Sequence, residues 1–247
     1  MKSVLITGAS RGIGAACVTT CANLGWAIAV NYSRDAESAQ LVAARAREIG
    51  VPAIVVQADV SDEAQVMAMF ERIDAELPPL HGLVNNAGVV DVQTRVDQLD
   101  MARIQRMFAI NVFGTMLCSR EAVKRLSTLH GGAGGCIVNL SSVAATLGSP
   151  GLYVDYAASK GAIDSFTVGL AREVASEGIR VNAVRPGIID TEIHASGGQA
   201  DRARQSVGLI PMRRVGRADE IAEAIGWLLG AGSSYATGAI LDVSGGR

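Results

Sequence analysis

The sequence is short of the residues that would mark several function classes. Among 247 residues there are only four cysteines, three histidines and six prolines. Cys17, Cys21, Cys118 and Cys136 lack the CxxC spacing of redox and zinc motifs, and nothing points to an oxidising compartment, so they read as buried thiols. Cys17 and Cys21 share a helix face, but a metal needs more ligands, and His81, His130 and His194 stand far off without ligand spacing; no metal site is expected. The formal net charge of −2 lacks the electrostatic footprint of a nucleic-acid binder. No segment offers the roughly 20 uncharged apolar residues of a membrane span, or the charged start, apolar stretch and small-residue site of a secretory signal. A cytoplasmic protein without membrane or nucleic-acid partners is expected.

What the sequence does hold is 28 glycines and a 49% share of hydrophobic residues, enough for a single domain with a large core over residues 1–247. Short β-rich runs recur at Ser3 to Thr7, Ala27 to Tyr32, Ala53 to Gln57, Gly82 to Asn85, Cys136 to Leu140, Arg180 to Val184 and Ala239 to Val243. Between them lie helical patterns, among them Ile13 to Leu24, Asp62 to Ala75, Met101 to Leu126, Tyr156 to Ala175 and Ala218 to Leu229. The alternation predicts a doubly wound α/β fold, an open Rossmann-type parallel sheet of about seven strands with helices on both faces. Its ligand should lie beyond the carboxyl ends of the strands. Residues 190–211, with Ser196, Gly197 and Gly198, read as a mobile insertion over the substrate.

Directly after the first run comes Thr7-Gly8-Ala9-Ser10-Arg11-Gly12-Ile13-Gly14, leading into a helix. Glycines there let the chain turn sharply and let backbone N–H groups approach a pyrophosphate. A Gly-rich turn alone is a weak signal, and tight packing is its bland explanation; a strand before it and a helix after it strengthen it. The spacing is Gly-xxx-Gly-x-Gly and not GxGxxG. Further pieces follow in order: Asp59-Val60, Asn85-Asn86-Ala87-Gly88, Asn111, Ser141-Ser142, Tyr156-xxx-Lys160 and Pro186-Gly187. Over essentially the whole chain this ordered set resembles the short-chain dehydrogenase/reductases. The resemblance implies that Gly8, Ser10, Gly12, Ile13 and Gly14 bind the cofactor phosphates and that Asp59 and Val60 meet the adenine. Asn86, Ala87 and Gly88 would support the cofactor beside the central strand, while Pro186, Gly187, Ile189 and Thr191 would hold the nicotinamide end.

An enzyme selecting NAD(H) usually carries an acid at the end of the second strand, on the ribose 2′-hydroxyl. That end reads Asn31-Tyr32-Ser33-Arg34 and has none. Arg34 and Arg11, with Ser33, suit a 2′-phosphate instead, because a guanidinium fork donates twice. NADP(H) is the expected cofactor, with NAD(H) as the alternative; the bland reading is that Arg34 opens a solvated helix beside Asp35 and Glu37.

Tyr156 and Lys160 stand four apart on a helical pattern, on one face. A free phenol titrates near ~10, so use as a base at neutral pH requires roughly 4 kcal/mol. An ammonium about 4 Å away supplies roughly that much at an effective dielectric near 20. Tyr156 would give a proton to a carbonyl oxygen, or take one from an alcohol, as hydride passes from or to the nicotinamide. Ser142 would hydrogen-bond the reacting oxygen, with Ser141 as its competitor; Tyr153 is a second tyrosine but lacks the lysine at i+4. By resemblance, Asn111 would hold a helix carbonyl and a water connecting Lys160 to solvent. No GxSxG elbow supports a hydrolase.

A mostly apolar pocket is expected from Ala144, Leu147, Leu152, Tyr153, Ile193 and His194, fitting a small ketone or secondary alcohol. Arg202, Arg204, Arg213, Arg214 and Arg217 read as a solvated basic face. Within the family, the chain resembles glucose-dehydrogenase-like enzymes and 3-oxoacyl-carrier-protein reductases. Glu177, where the latter carry a basic carrier-docking residue, favours a sugar, polyol or small-ketone substrate. The resemblance also implies a homotetramer built on the Met101 to Leu126 and Tyr156 to Ala175 helices and the last strand, with Phe108, Val112, Phe113, Ile163, Phe166 and Leu170 on more than one face. A non-catalytic NADP(H)-binding regulator and an epimerase or dehydratase are the rival functions.

Overall fold

The computed structural model describes residues 1–191 and 207–247; positions 192–206, with Ile193, His194, Arg202, Arg204 and most of the expected insertion, lie outside the described residues. Seven parallel strands form one sheet: β1 Ser3–Ile6, β2 Ala27–Tyr32, β3 Ala53–Gln57, β4 Leu80–Asn85, β5 Gly135–Leu140, β6 Ile179–Pro186 and β7 Ile240–Val243. Their order is β3-β2-β1-β4-β5-β6-β7. The order reverses between β1 and β4, and in such sheets the crevice beyond the strand ends at that point receives ligands.

Alternation along the strands builds two cores. Val4, Ile6, Ile28 and Val30 face one layer, packed on α1 (Gly12–Asn23), α2 (Ala36–Ile49) and α8 (Ala218–Leu229) through Val18, Val42 and Ile225. Leu5, Ala27 and Ala29 face the other layer, with α3 (Glu63–Glu76), α5 (Gly114–Leu126) and α7 (Val154–Val174) contributing Phe70, Ile73, Leu126 and Val174. That is the period-two logic of a pleated strand covered on both faces. The four cysteines are buried thiols, and burial raises each of them above its ordinary range.

The expected single helix from Met101 to Leu126 is interrupted. α4 runs Met101–Phe108, a π-helical turn spans Ala109–Phe113, and α5 begins at Gly114. Widened turns of this kind concentrate at functional positions, and Asn111 sits in the middle of this one. At the other end of the expected insertion, Ile210 is buried with Ile188 against Val215, so its last residues pack on the body of the fold.

Candidate functional site

The Gly-rich turn is fixed from beneath. Thr7 Oγ donates to the Val84 carbonyl and accepts from the backbone N–H groups of Asn86 and Ala87. Asn86 Nδ2 donates to the carbonyls of Thr7 and Gly8 at 2.8 and 2.9 Å. Gly8 has φ +61°, and a Cβ there would come 2.9 Å from the Ala87 Cα; one on Gly14 would lie 2.5 Å from Asn86 Nδ2 and 2.6 Å from the Gly8 oxygen. The glycines therefore allow β1, α1 and the β4 end to close together.

Helices α2, α3 and α4 start on aspartates, Asp35, Asp62 and Asp100, whose side chains accept from the first turn. Helix α1 starts on Arg11 with no side-chain cap. Its first N–H groups are left for an external acceptor, and such a terminus at a strand end favours an anion.

The residues expected along the cofactor divide into two sets. Ile13, Asn86, Gly88, Pro186, Gly187, Ile189 and Thr191 line one open cleft, together with Ser141, Ser142, Tyr156 and Lys160. Arg11, Ser33 and Arg34 lie exposed at the β1 and β2 ends, with Tyr32 half-buried. Asn31 is different: its buried side chain accepts from Gly8 N–H and donates to the carbonyls of Val56 and Ala58, so it shapes the turn from inside. Asp59 accepts from the Ser61 N–H and hydroxyl, and Val60 is buried in the place a Cβ on Gly114 would take. No acid ends β2; Asp35, three residues on, is turned to Ser38 as the α2 cap and is held below the usual carboxylate range by that contact, with a smaller contribution from Arg11.

At the other end, Lys160 Nζ lies 5.7 Å from the centre of the Tyr156 ring and donates to the Leu140 carbonyl at 2.7 Å. Both side chains emerge on one face of α7 into the cleft. Burial of the ammonium pulls Lys160 from 10.5 down to about 8, against an opposing contribution from Asp164 one turn on. Ser141 and Ser142 separate cleanly. Ser141 is buried and its hydroxyl donates to the Lys160 carbonyl, whereas the half-buried Ser142 Oγ accepts the Ala144 N–H, which leaves its proton for another acceptor. Asn111 is buried and clamps Val89, accepting from its N–H at 2.8 Å and donating to its carbonyl at 3.0 Å, with a further contact to Ser159 Oγ.

The family model described as enoyl-(acyl carrier protein) reductase matches residues 8–247. The Escherichia coli protein called uncharacterized oxidoreductase YgfF is 53% identical, with all of both chains covered. The chain belongs to the short-chain dehydrogenase/reductase family. An Arabidopsis thaliana NADPH-dependent aldehyde reductase-like protein is 36% identical over 99% of this chain and 93% of its own. A short-chain dehydrogenase/reductase structure from Mycobacterium marinum superposes with a TM-score of 0.93 at 33% identity, covering 99% of this chain and 94% of the other. The protein is an oxidoreductase of a family that uses nicotinamide cofactors. The glycine-shaped turn, the uncapped helix and the open cleft beside Gly88 fit such a group.

Of the expected pocket wall, Ala144, Leu147 and Tyr153 line the cleft and Leu152 does not. Val90 and Arg247 line it without any motif having singled them out. Arg214 and Arg217 pair with Glu220 and Asp219, so this part of the basic region is largely neutralised by its own helix. Among the described residues no helix is long and apolar enough to cross a membrane, and no cluster of three metal-ligating side chains occurs.

Proposed function

We propose that the protein interconverts a small ketone and a secondary alcohol with NADP(H), using Tyr156 as the proton donor and acceptor. The observation that carries this is the convergence of Tyr156, Lys160 and Ser142 in one cleft with the phosphate turn. A bound nicotinamide would supply or take the hydride. Ser142, its lone pair engaged by Ala144, donates to the substrate oxygen and fixes it beside the phenol. Tyr156 gives that oxygen its proton, and the Lys160 charge favours the phenolate left behind. Lys160 is anchored to the end of β5 by Leu140, so its charge cannot swing away. Asn111 holds Val89 and Ser159, and so sets the spacing between the cofactor side of the cleft and α7.

The NADP(H) preference rests on exposed Arg34 and Arg11 and on the absence of an acid at the end of β2; a relative whose printed name is NADPH-dependent agrees with it. Screening ketones, aldoses, polyols and acyl thioesters with both cofactors by absorbance tests the assignment. Tyr156→Phe is expected to abolish turnover while NADPH still binds, and unchanged turnover would remove the mechanism. Arg34→Ala should lower the preference for NADPH over NADH at least about tenfold, the scale of one lost phosphate ion pair; an unaltered ratio assigns Arg34 to the solvated surface. We also infer a homotetramer, supported by Phe113 and Met116 standing exposed on α5 and the turn before it, and a substrate-covering role for 190–211, whose first residues reach the cleft at Thr191. Sedimentation of the purified protein tests the former.

A further inference from the structure

Arg103 was singled out by no motif, yet every nitrogen of its guanidinium is engaged. Its Nε and Nη2 donate to the two oxygens of Asp155 at 2.7 and 3.2 Å, and its Nη1 donates to the Val92 carbonyl and to Thr94 Oγ, both at 2.7 Å. The Arg103 side chain is 9% exposed and that of Asp155 is 2% exposed. One guanidinium thus joins three pieces of chain: α4, the segment after β4, and the first turn of α7. Asp155 immediately precedes Tyr156. The segment after β4 carries Val90, which lines the same cleft as Tyr156.

Other contacts point the same way. Thr94 N–H donates to the Leu152 carbonyl, at the turn entering α7. Arg106, one turn beyond Arg103, pairs with Asp91. With Asn111 on Val89, the run from Val89 to Thr94 is held at successive points by α4 and the π-helical turn behind it. A buried ion pair is a costly way to hold two helices together, and apolar side chains of similar volume often do so equally well. What a planar five-donor fork adds is direction, since it fixes three acceptors at set angles.

We propose that Arg103 is a positioning residue for the reaction, setting the substrate wall at Val90 in register with the Tyr156 hydroxyl. The proposal rests on the reading of Tyr156 as the proton donor. It touches neither substrate nor cofactor and acts through Asp155 and Val92. Small misplacements of a proton donor cost turnover far more than affinity for a cofactor held elsewhere.

Arg103→Lys tests this, because an ammonium keeps the charge beside Asp155 but cannot span all three acceptors. The measurements are the melting temperature, NADPH affinity by fluorescence, and kcat and KM for a ketone that the unaltered protein reduces. Expected are NADPH affinity within about twofold and kcat lowered at least tenfold. A lower melting temperature with kcat within twofold, or a loss of NADPH affinity matching the loss of kcat, would overturn the proposal in favour of a general structural role. If Arg103→Lys does not fold, the double variant Arg103→Met with Asp155→Asn removes both charges together, and the same outcomes apply. Turnover surviving Tyr156→Phe overturns the reading of Tyr156; turnover lost in that variant but intact in Arg103→Lys overturns only the role of Arg103.

Discussion

Lys160 sits at the centre of the proposed chemistry at a cost to the fold, and that cost can be measured. Burial brings its proton affinity down from 10.5 to about 8. At about 1.4 kcal/mol for each tenfold change, the folded state bears about 3 kcal/mol against the charged form. The sign follows from proton counting. Below about pH 8 folded and unfolded chains both carry the ammonium, and the full cost applies. Between about 8 and 10.5 the folded chain releases the proton while the unfolded chain keeps it, so stability rises with pH; above 10.5 the cost is gone. Lys160→Met removes the charge and with it this dependence. It also leaves the Leu140 carbonyl without its donor, a loss of about 1–3 kcal/mol that does not vary with pH. Denaturant unfolding of both cofactor-free proteins from pH 7 to 10.5 should therefore show the unaltered protein gaining about 3 kcal/mol on the variant across that window. Titrating groups that do not interact with Lys160 cancel in the difference. Parallel stability curves would refute the reasoning, because they would mean that Lys160 is not desolvated in the folded state.

Three further substitutions probe the rest of the cleft. Gly14→Ala would push a Cβ against Asn86 Nδ2 and the Gly8 oxygen; it should cost about 1–3 kcal/mol in thermal unfolding and weaken NADPH binding more than tenfold, the mark of overpacking at a fixed turn. Ser142→Ala should lower kcat about 100-fold, as for loss of one donor to a developing oxyanion, while losing no more than about 1 kcal/mol of stability through the Ala144 N–H. Ser141→Ala should cost about 1 kcal/mol of stability through the lost bond to the Lys160 carbonyl and leave most turnover. Equal kinetic losses in the two serine variants would contradict the geometry.

How much of this was legible depended on whether a feature is local in sequence. Strand runs such as Ala27–Tyr32 and Ala53–Gln57 matched residue for residue, since buried parallel strands write themselves as short apolar β-branched runs. The Gly-rich turn between β1 and α1 and the shared face of Tyr156 and Lys160 were legible for a similar reason: each is a constraint among near neighbours. The π-helical turn at Ala109–Phe113 was not, because its residues Ala-Ile-Asn-Val-Phe carry ordinary helical periodicity. The hydrogen bonds of Asn111 to Val89, 22 residues away, accompany the widened turn and could not be read from that window. Asn31 is a different case. Its position at the end of β2 suggested a ligand group; what could not be read is that its buried side chain is also satisfied internally, on Gly8, Val56 and Ala58.

The same distinction explains where the site's precision comes from. The proposed reacting groups Tyr156 and Lys160 stand on α7 and Ser142 just after β5; Ser142 is held locally by Ala144, but Lys160 is held by Leu140, 20 residues back, and the turn that carries Tyr156 by Arg103, 52 residues before Asp155. A proton donor must be held to within a fraction of an ångström, and supporting hydrogen bonds from rigid elements achieve that better than the local chain can. Substrate specificity should then follow the wall from Val89 to Thr94 and its fastening to α4, while the proposed Tyr156–Lys160 chemistry stays constant. Exchanging Val90 for larger or smaller apolar residues should accordingly change which ketones are accepted, with little effect on cofactor affinity.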